Sequence, residues 1–319
     1  MLKPDVLTKW IRHLVVGAAL LATANAFAED QPGAIEEGEG LSLVVLGSGG
    51  PGATGRAGSG YLVVIDQQPR ILVDAGPGTF ARVGEAGLDL SAVDTVLLTH
   101  LHVDHAGELP GLVKARAIST RTSIDFKVFG PGGRGGSKSG ARFPSTSRFV
   151  DLLFGHSGAF PYLRDFAGRI TFHAHDLGPR SHVQKIVQRD GLVVSAIAGH
   201  HRDAPAIIYR VDYGGKSITF TGDIDAAGHA TLKRIAQDTD LLVFNCVVLD
   251  PPGSSPVLYT LHTAPRDIGL LAAHAKAKGL LLGHLNPAID REQNAVRSSV
   301  AASFGGAVSF AKDGLTIVP

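Results

Sequence analysis

A histidine-rich run at the end of an apolar segment constrains this chain more than any other feature. The apolar residues of VDTVLLTH lead directly into LHVDH, so that His100, His102, Asp104 and His105 share one short turn. Only 18% of the chain is charged, and a run such as VDTVLL is typical of a buried strand. Four side chains of the kinds that bind metal ions are therefore expected to project from the end of a core strand.

The spacing within this run predicts two metal positions. Residues two apart in an extended chain point to the same side, so His100 and His102 can converge on one cation. Asp104 and His105 follow in the tighter turn before a predicted helix, Leu109–Ser119, and are expected to face a second position. Imidazole suits zinc, and a carboxylate can bridge two ions. A solvated His-rich loop is the alternative, but the apolar strand before the turn argues against it.

The remaining apolar segments predict two sheets. Aliphatic and β-branched runs bounded by Gly, Pro and Asp are typical of strands. In each half of the chain such runs come first as a meander and then alternate with helices. Two sheets packed face to face with helices outside would bury all these surfaces. The predicted helices are Thr79–Ala86, Leu109–Ser119, Arg266–Lys278 and Arg291–Ser303.

The first 28 residues have the pattern of a secretory signal peptide. Lys3, Lys9 and Arg12 precede the apolar stretch LVVGAALLATANAFA, which ends in an A-x-A cleavage motif. This stretch is short for a membrane span, and an uncleaved N-terminal anchor is the alternative. We expect a periplasmic or secreted mature protein that makes no membrane contact after cleavage.

The rest of the chain divides into a linker and one domain. Residues 29–40 are an acidic, Gly-containing linker, and residues 41–319 are predicted to form a single domain. Within it, residues 131–165 change character, because PGGRGGSKSGARFPSTSRF is rich in Gly, Ser and Arg. Such composition is typical of a mobile insertion. Its cations would suit an anionic group if the loop closed over the metals as a lid, or would simply keep a solvated loop soluble.

Several motifs together resemble one known superfamily. THLHVDH resembles the signature of the metallo-β-lactamase fold superfamily. LGSGGPGATGRAGSG followed by ILVDAGPGT is similar to its ribonuclease Z and arylsulfatase-like branch, and the resemblance covers most of residues 41–290. It implies an α+β fold, a four-layer αββα sandwich with a dinuclear site at one edge. Two Zn²⁺ ions per chain are expected, with Mn²⁺ or Fe²⁺ as alternatives that the same ligands accept.

The resemblance also implies a ligand set. The first zinc would be held by His100, His102 and His201; the second by Asp104, His105 and His284; and Asp223 would bridge them. The sequence AIAGHHRD leaves His200 open as the third ligand. The two side chains point opposite ways in an extended chain, and the position relative to Ala196 favours His201.

Asp104 and His262 are the predicted catalytic residues. The resemblance implies that Asp104 orients a hydroxide shared by the metals and accepts its proton. His262, in LHTAP, resembles the branch's HST or HTT motif, whose histidine protonates or stabilises the leaving group. A structural alternative makes His262 a residue at the start of a helix, with Thr263 as N-cap and Pro265 in the first turn.

The predicted substrate is a small anionic ester. The long tRNA-binding arm of ribonuclease Z lies between the third histidine and the bridging aspartate, whereas His201 and Asp223 are separated here only by two predicted strands and a turn. The formal net charge of +1 likewise gives no reason to expect a nucleic acid partner.

We therefore expect an exported dinuclear zinc hydrolase whose metal-bridging hydroxide attacks a phosphodiester or sulfate ester. A lactone or amide hydrolase, including a β-lactam-like one, is one alternative. A non-catalytic metal-binding protein of the cell envelope is another. The sequence carries no signal for an oligomeric state.

Overall fold

The computed structural model describes most of the predicted domain. The described parts of the chain are residues 40–52, 54–134, 143–202 and 204–319. The predicted signal peptide, nearly all of the predicted linker, and residues 135–142 of the predicted insertion lie outside the described residues. All described residues belong to one compact unit. None of the helices in those ranges has the length and apolar character needed to cross a membrane.

The first sheet combines an antiparallel meander with a parallel half. Its spatial order is β14-β1-β2-β3-β4-β5-β6, antiparallel up to β3 and parallel from β3 onward. The strands are β1 (Leu41–Gly47), β2 (Gly60–Ile65), β3 (Gln68–Val73), β4 (Thr95–Leu97), β5 (Ile124–Pro131), β6 (Ile170–Leu177) and β14 (Thr316–Ile317).

The second sheet repeats this plan. Its order is β13-β12-β11-β10-β9-β8-β7, antiparallel from β7 to β10 and parallel from β10 to β13. The strands are β7 (Gln184–Arg189), β8 (Leu192–Ala198), β9 (Ile207–Tyr213), β10 (Lys216–Phe220), β11 (Leu241–Asn245), β12 (Gly279–Gly283) and β13 (Ala307–Phe310).

Helices cover the outer face of each sheet. The α-helices are α1 (Thr79–Glu85), α2 (Val103–Ala106), α3 (Leu109–Thr120), α4 (Thr146–Phe154), α5 (His229–Ile235), α6 (Pro265–His274), α7 (Pro287–Arg291) and α8 (Gln293–Ala301). Short 3₁₀ helices span Pro161–Arg164, Ala226–Gly228 and Pro256–Thr260. Helices α1, α3 and α4 share an apolar cluster with the first sheet, and α5 to α8 share one with the second. The predicted αββα sandwich is therefore confirmed.

The alternation along β1 shows how the layers are held together. Leu43 and Val45 point into the cluster between the two sheets, whereas Val44 and Leu46 point toward the helices. All four side chains are buried. A strand buried on both faces needs a continuous apolar run, which is what LSLVVLG supplies.

Two predicted elements have different bounds in the structure. The strand predicted from VDTVLLTH pairs only over Thr95–Leu97. It ends early because the Thr99 N–H donates to the Asp74 carboxylate at 2.7 Å instead of continuing the ladder. The helix predicted over Arg291–Ser303 is two helices, α7 and α8, separated at Glu292. Strand β7 and helix α5 were not predicted.

Part of the predicted insertion is ordered core structure. Helix α4 lies inside residues 131–165, so the expectation of a loop is wrong for this stretch. The Ser145 side chain caps it by accepting from the Arg148 N–H. Val150 and Phe154, four residues apart on one helical face, are buried against the first sheet.

Replacing Phe154 with alanine is expected to lower the free energy of unfolding by about 3–5 kcal/mol, because it leaves a cavity in the core. The Phe154 ring is 1% exposed and stacks on Phe172 at 4.4 Å between centroids. Leu152→Ala is the matched control, since Leu152 is 45% exposed on the same helix. Its replacement should change the free energy of unfolding by less than about 0.5 kcal/mol. Urea titration measures both. Equal effects would contradict the placement of α4 in the core.

Candidate metal centre

The candidate site lies where six chain segments leave the ends of strands. Ligands at such positions are held by a rigid frame while their side chains remain free to converge. Asp74 follows β3, His100 follows β4, His201 follows β8, Asp223 follows β10, Asn245 ends β11 and His284 follows β12. Asp104 and His105 lie in the short helix α2 just beyond His100.

All seven predicted ligands come together in this structure. In each of four overlapping groups, the candidate ligand atoms lie within 4.8 Å of one another. The groups are His100/His102/His201, His100/His105/Asp223, Asp104/His105/His284 and His201/Asp223/His262. The first and third are the two ligand sets predicted for the first and second ion.

Asp223 occupies the position between these two sets. Its Oδ2 atom lies 3.6 Å from His201 Nε2, 3.7 Å from His105 Nε2 and 3.9 Å from His100 Nε2. Its Oδ1 atom lies 3.7 Å from His284 Nε2. One carboxylate facing imidazoles of both sets has the geometry that a bridging ligand requires.

Two histidines are oriented by partners on the side away from the cluster. His105 Nδ1 lies 2.8 Å from the Asp74 carboxylate, and His201 Nδ1 lies 2.8 Å from the Leu261 carbonyl oxygen. Holding one ring nitrogen in this way directs the other toward a metal. His105 Nε2 is buried and has no hydrogen-bond partner among the described residues. A buried, unpaired imidazole nitrogen facing other ligands fits a metal site.

Asp74 is a functional residue that the sequence reasoning did not assign. Its carboxylate accepts from the Thr99 N–H at 2.7 Å and from the Thr99 hydroxyl at 2.8 Å, and it also holds His105. It thereby fixes both the start of the ligand turn and one ligand. The available signal was its position directly after the strand ILV, in a motif already recognised as part of the resemblance.

Burial and charge act in opposite directions on the pKa values of these groups. Burial would raise the pKa of Asp223, but the surrounding histidines, led by His284 and His105, hold it well below its usual range. Burial lowers the pKa of His100 strongly, and the charge of His105 adds to this. His100 is therefore neutral at neutral pH, which is the form in which imidazole binds metal.

His105 and Asp104 have shifts that follow from their partners. Burial would lower the pKa of His105, but Asp74 and Asp223 raise it to about 9. Burial would raise the pKa of Asp104, but its hydrogen bond with His284 and the charge on His105 lower it to about 2. In the metal-free protein this raised pKa favours the cationic form of His105, with a proton on both ring nitrogens, at neutral pH. Metal binding must release one of these two protons.

His262 lies beside the ligands without bonding to them. Its side chain is 6% exposed, and its Nδ1 atom is 3.9 Å from Asp223 Oδ2 with no hydrogen-bond partner among the described residues. Burial lowers the pKa of His262 to about 4, despite the Asp223 charge. The suggested cap is wrong: helix α6 is preceded by Ala264, because the Thr263 hydroxyl donates to the Ile224 carbonyl instead.

The structure separates His200 from His201. His201 is 2% exposed and belongs to the cluster. His200 points away, with 46% of its side chain exposed and its Nδ1 atom 2.7 Å from the Asp225 carboxylate. The alternation of neighbouring side chains therefore places His201, and not His200, among the candidate ligands.

His201→Ala is expected to weaken binding of the first of the two ions, because only His100, His102 and the shared Asp223 would remain for it. His200→Ala is the matched neighbour and should leave the bound metal unchanged. Elemental analysis after gel filtration measures both variants. Metal loss in the His200 variant alone would reverse the assignment.

Comparison with known proteins agrees with this geometry. The model of the metallo-β-lactamase superfamily matches residues 53–264. A ribonuclease Z of Mycobacterium avium is 30% identical over 291 residues, which cover 86% of this chain and 96% of that protein. Two solved structures share the fold. Human tRNase Z, short form, has a TM-score of 0.64 at 20% identity, over 87% of this chain and 98% of that one. The metallo-β-lactamase fold protein YhfI of Bacillus subtilis has a TM-score of 0.63 at 19% identity, over 88% of this chain and 99% of that one.

Proposed function

This chain belongs to the metallo-β-lactamase superfamily and is a metal-dependent hydrolase, and we propose that it is a dinuclear zinc enzyme that cleaves a small phosphodiester or sulfate ester. The observation that carries the proposal is the convergence of seven imidazole and carboxylate ligands with His262 beside them. Their mixed nitrogen and oxygen chemistry suits Zn²⁺, and accepts Mn²⁺ or Fe²⁺ as alternatives.

The protein groups have separate roles in this proposal. Two bound zinc ions would supply a nucleophilic water at neutral pH and Lewis acidity at the ester. Asp104 is ionised at neutral pH and 16% exposed at the mouth of the cluster, so it can orient the attacking water and accept its proton. His262 is placed to donate a hydrogen bond or a proton to the departing oxygen, because the negative charge that develops there would offset the burial that lowers the pKa of His262.

The short hairpin between His201 and Asp223 supports a small substrate. Strands β9 and β10 and the turn that joins them account for most of this interval. No separate arm for an extended partner can be built from it. Together with the net charge of +1, this favours a small ester over a nucleic acid.

Export belongs to the same proposal. It is supported by the basic, apolar and A-x-A regions of residues 1–28. N-terminal sequencing of the protein recovered from the periplasm or medium of an expressing bacterium should begin at Glu29. Recovery in the cytoplasm with Met1 retained would contradict it.

A substrate panel with metal analysis tests the catalytic proposal. Purified zinc-loaded protein should hydrolyse bis(4-nitrophenyl) phosphate or 4-nitrophenyl sulfate, and lose this activity on chelation. Nitrocefin and an aryl lactone test the alternative of amide or lactone opening, which would displace the proposal if they were the better substrates. Stoichiometric metal with no turnover of any ester, amide or lactone would favour a metal-binding protein.

Cleavage of RNA is a second candidate, because the relative with 30% identity is named ribonuclease Z and is covered over 96% of its length. A precursor tRNA with a 3′ extension is the discriminating substrate. Cleavage of this RNA more efficient than that of the aryl esters would favour the second candidate, and none would favour the first.

A further inference from the structure

A cleft of about 470 Å³ is lined on one side by residues that flank His201 in the chain, although none of the seven candidate ligands is among its described lining residues. One wall is the segment after β5, and the other is the loop between β8 and β9 that contains His201. Ala204 donates its N–H to the His201 carbonyl, and Ile207 donates to that of Thr99. The cleft wall is thus bonded directly to the two turns that carry the first ligand set.

The opposite wall also touches a ligand. Arg134 and Phe143 exchange backbone hydrogen bonds at 3.0 and 3.2 Å, and the Phe143 ring lies 5.9 Å from the His102 ring. Arg134 lines the cleft. The Arg134–Phe143 pair therefore links this wall of the cleft to His102.

The lining has an apolar interior and cationic side chains. Its apolar residues include Pro131, Leu177 and Ile207. Arg134, Arg202 and His200 supply the polar side chains, and no described lining residue is acidic. Neither guanidinium forms an ion pair with any described residue. Guanidinium groups of this kind are suited to recognising phosphate oxygens.

Hydrogen bonding holds the backbone of Arg202 in place. It adopts a left-handed conformation at φ 55°, and its N–H donates to Asp225 Oδ2 at 2.8 Å. Asp225 also accepts from the Ala227 N–H and bonds to His200. The carboxylate behind the cleft is thus already occupied by protein partners, while both guanidinium groups remain exposed.

We propose that this cleft binds a second phosphate of the substrate, attached through a group of nucleoside size to the ester held at the metals. This inference rests on the proposed function and specifies its substrate: an ester whose retained portion ends in an additional phosphate. The volume suits a ligand of that size. The two arginines would select it over an ester with no distal charge.

Binding of product-like ligands tests the inference without turnover. Zinc-loaded protein should bind thymidine 3′,5′-bisphosphate about tenfold more tightly than thymidine 5′-monophosphate in calorimetry at low ionic strength. In the double variant Arg134→Gln/Arg202→Gln this preference should fall to within about twofold. Arg121→Gln is the matched control, because Arg121 is exposed and left-handed at φ 51° but lies at the end of α3, outside the cleft.

Kinetics supply the second readout. The two substrates are the 4-nitrophenyl esters of thymidine 5′-phosphate with and without a 3′-phosphate. The ratio of their kcat/KM values measures the preference for the second phosphate. This ratio should be about tenfold lower in the double variant than in the unaltered protein, and the change should lie in KM. Equal affinity of the unaltered protein for both ligands, or a preference that survives in the double variant, would overturn the inference. A clear preference without turnover of any phosphodiester or sulfate ester would instead overturn the proposed function and leave the cleft assignment standing.

Discussion

Asp223→Asn is expected to reduce kcat/KM by about 10³-fold and to lower the metal content of the protein. The substitution keeps the shape of the side chain but removes the charge that faces imidazoles of both ligand sets. Without it, the two ions would lose the carboxylate that they are proposed to share, and less negative charge would remain to offset the repulsion between two cations at close range. Steady-state kinetics and elemental analysis on the same preparation measure both effects.

Asn245→Ala provides a graded comparison for that variant. The Asn245 amide donates to Asp223 Oδ1 at 2.7 Å and so orients the carboxylate without facing the cluster itself. Loss of such a partner commonly costs about 10–100-fold in metal affinity or activity. The order of effects should be Asp223→Asn greater than Asn245→Ala. Full activity in Asp223→Asn would mean that this carboxylate does not bridge the metals.

His262→Ala is expected to lower kcat by about 10²–10³-fold while both metals stay bound, because His262 donates a proton and coordinates nothing in the proposal. The loss should depend on the leaving group. An ester of 4-nitrophenol departs readily as an anion and should be affected least, whereas a phenyl or alkyl ester needs the proton and should be affected most. The rates for a series of leaving groups with different pKa values measure this dependence.

Thr263→Val separates this role from a structural one. Thr263 anchors the same segment through its hydrogen bond to Ile224 and its contact with His229 Nε2 at 2.9 Å. Its replacement should reduce all the rates by a similar factor, whatever the leaving group. The same uniform loss in His262→Ala would argue against proton donation. Unchanged turnover in His262→Ala would favour a metal-binding protein without catalysis.

Much of the fold was predictable because its signals are local. The continuous apolar run of β1 and the strands bounded by Gly and Asp identify most core elements without any tertiary information. Helix α4 was missed because its Gly/Ser-rich neighbours dominate the composition of the whole stretch. Its capping serine and the four-residue spacing of Val150 and Phe154 are local signals from which this helix could have been predicted. Strand β7 alternates only weakly, since its burial depends on the edge it occupies in the second sheet.

Sequence alone determined the kinds of ligand and their order along the chain. Strand periodicity and side-chain chemistry, which are properties of short segments, pointed to His100 and His102 as a converging pair, whereas His201, Asp223 and His284 came from the resemblance to the superfamily. Tertiary structure alone decided how those ligands are aimed. His105 is oriented by Asp74 from a different strand, and His201 by the Leu261 carbonyl from a distant loop. Such contacts depend on how two sheets pack against each other, and no local pattern encodes the distance between atoms so far apart in the chain.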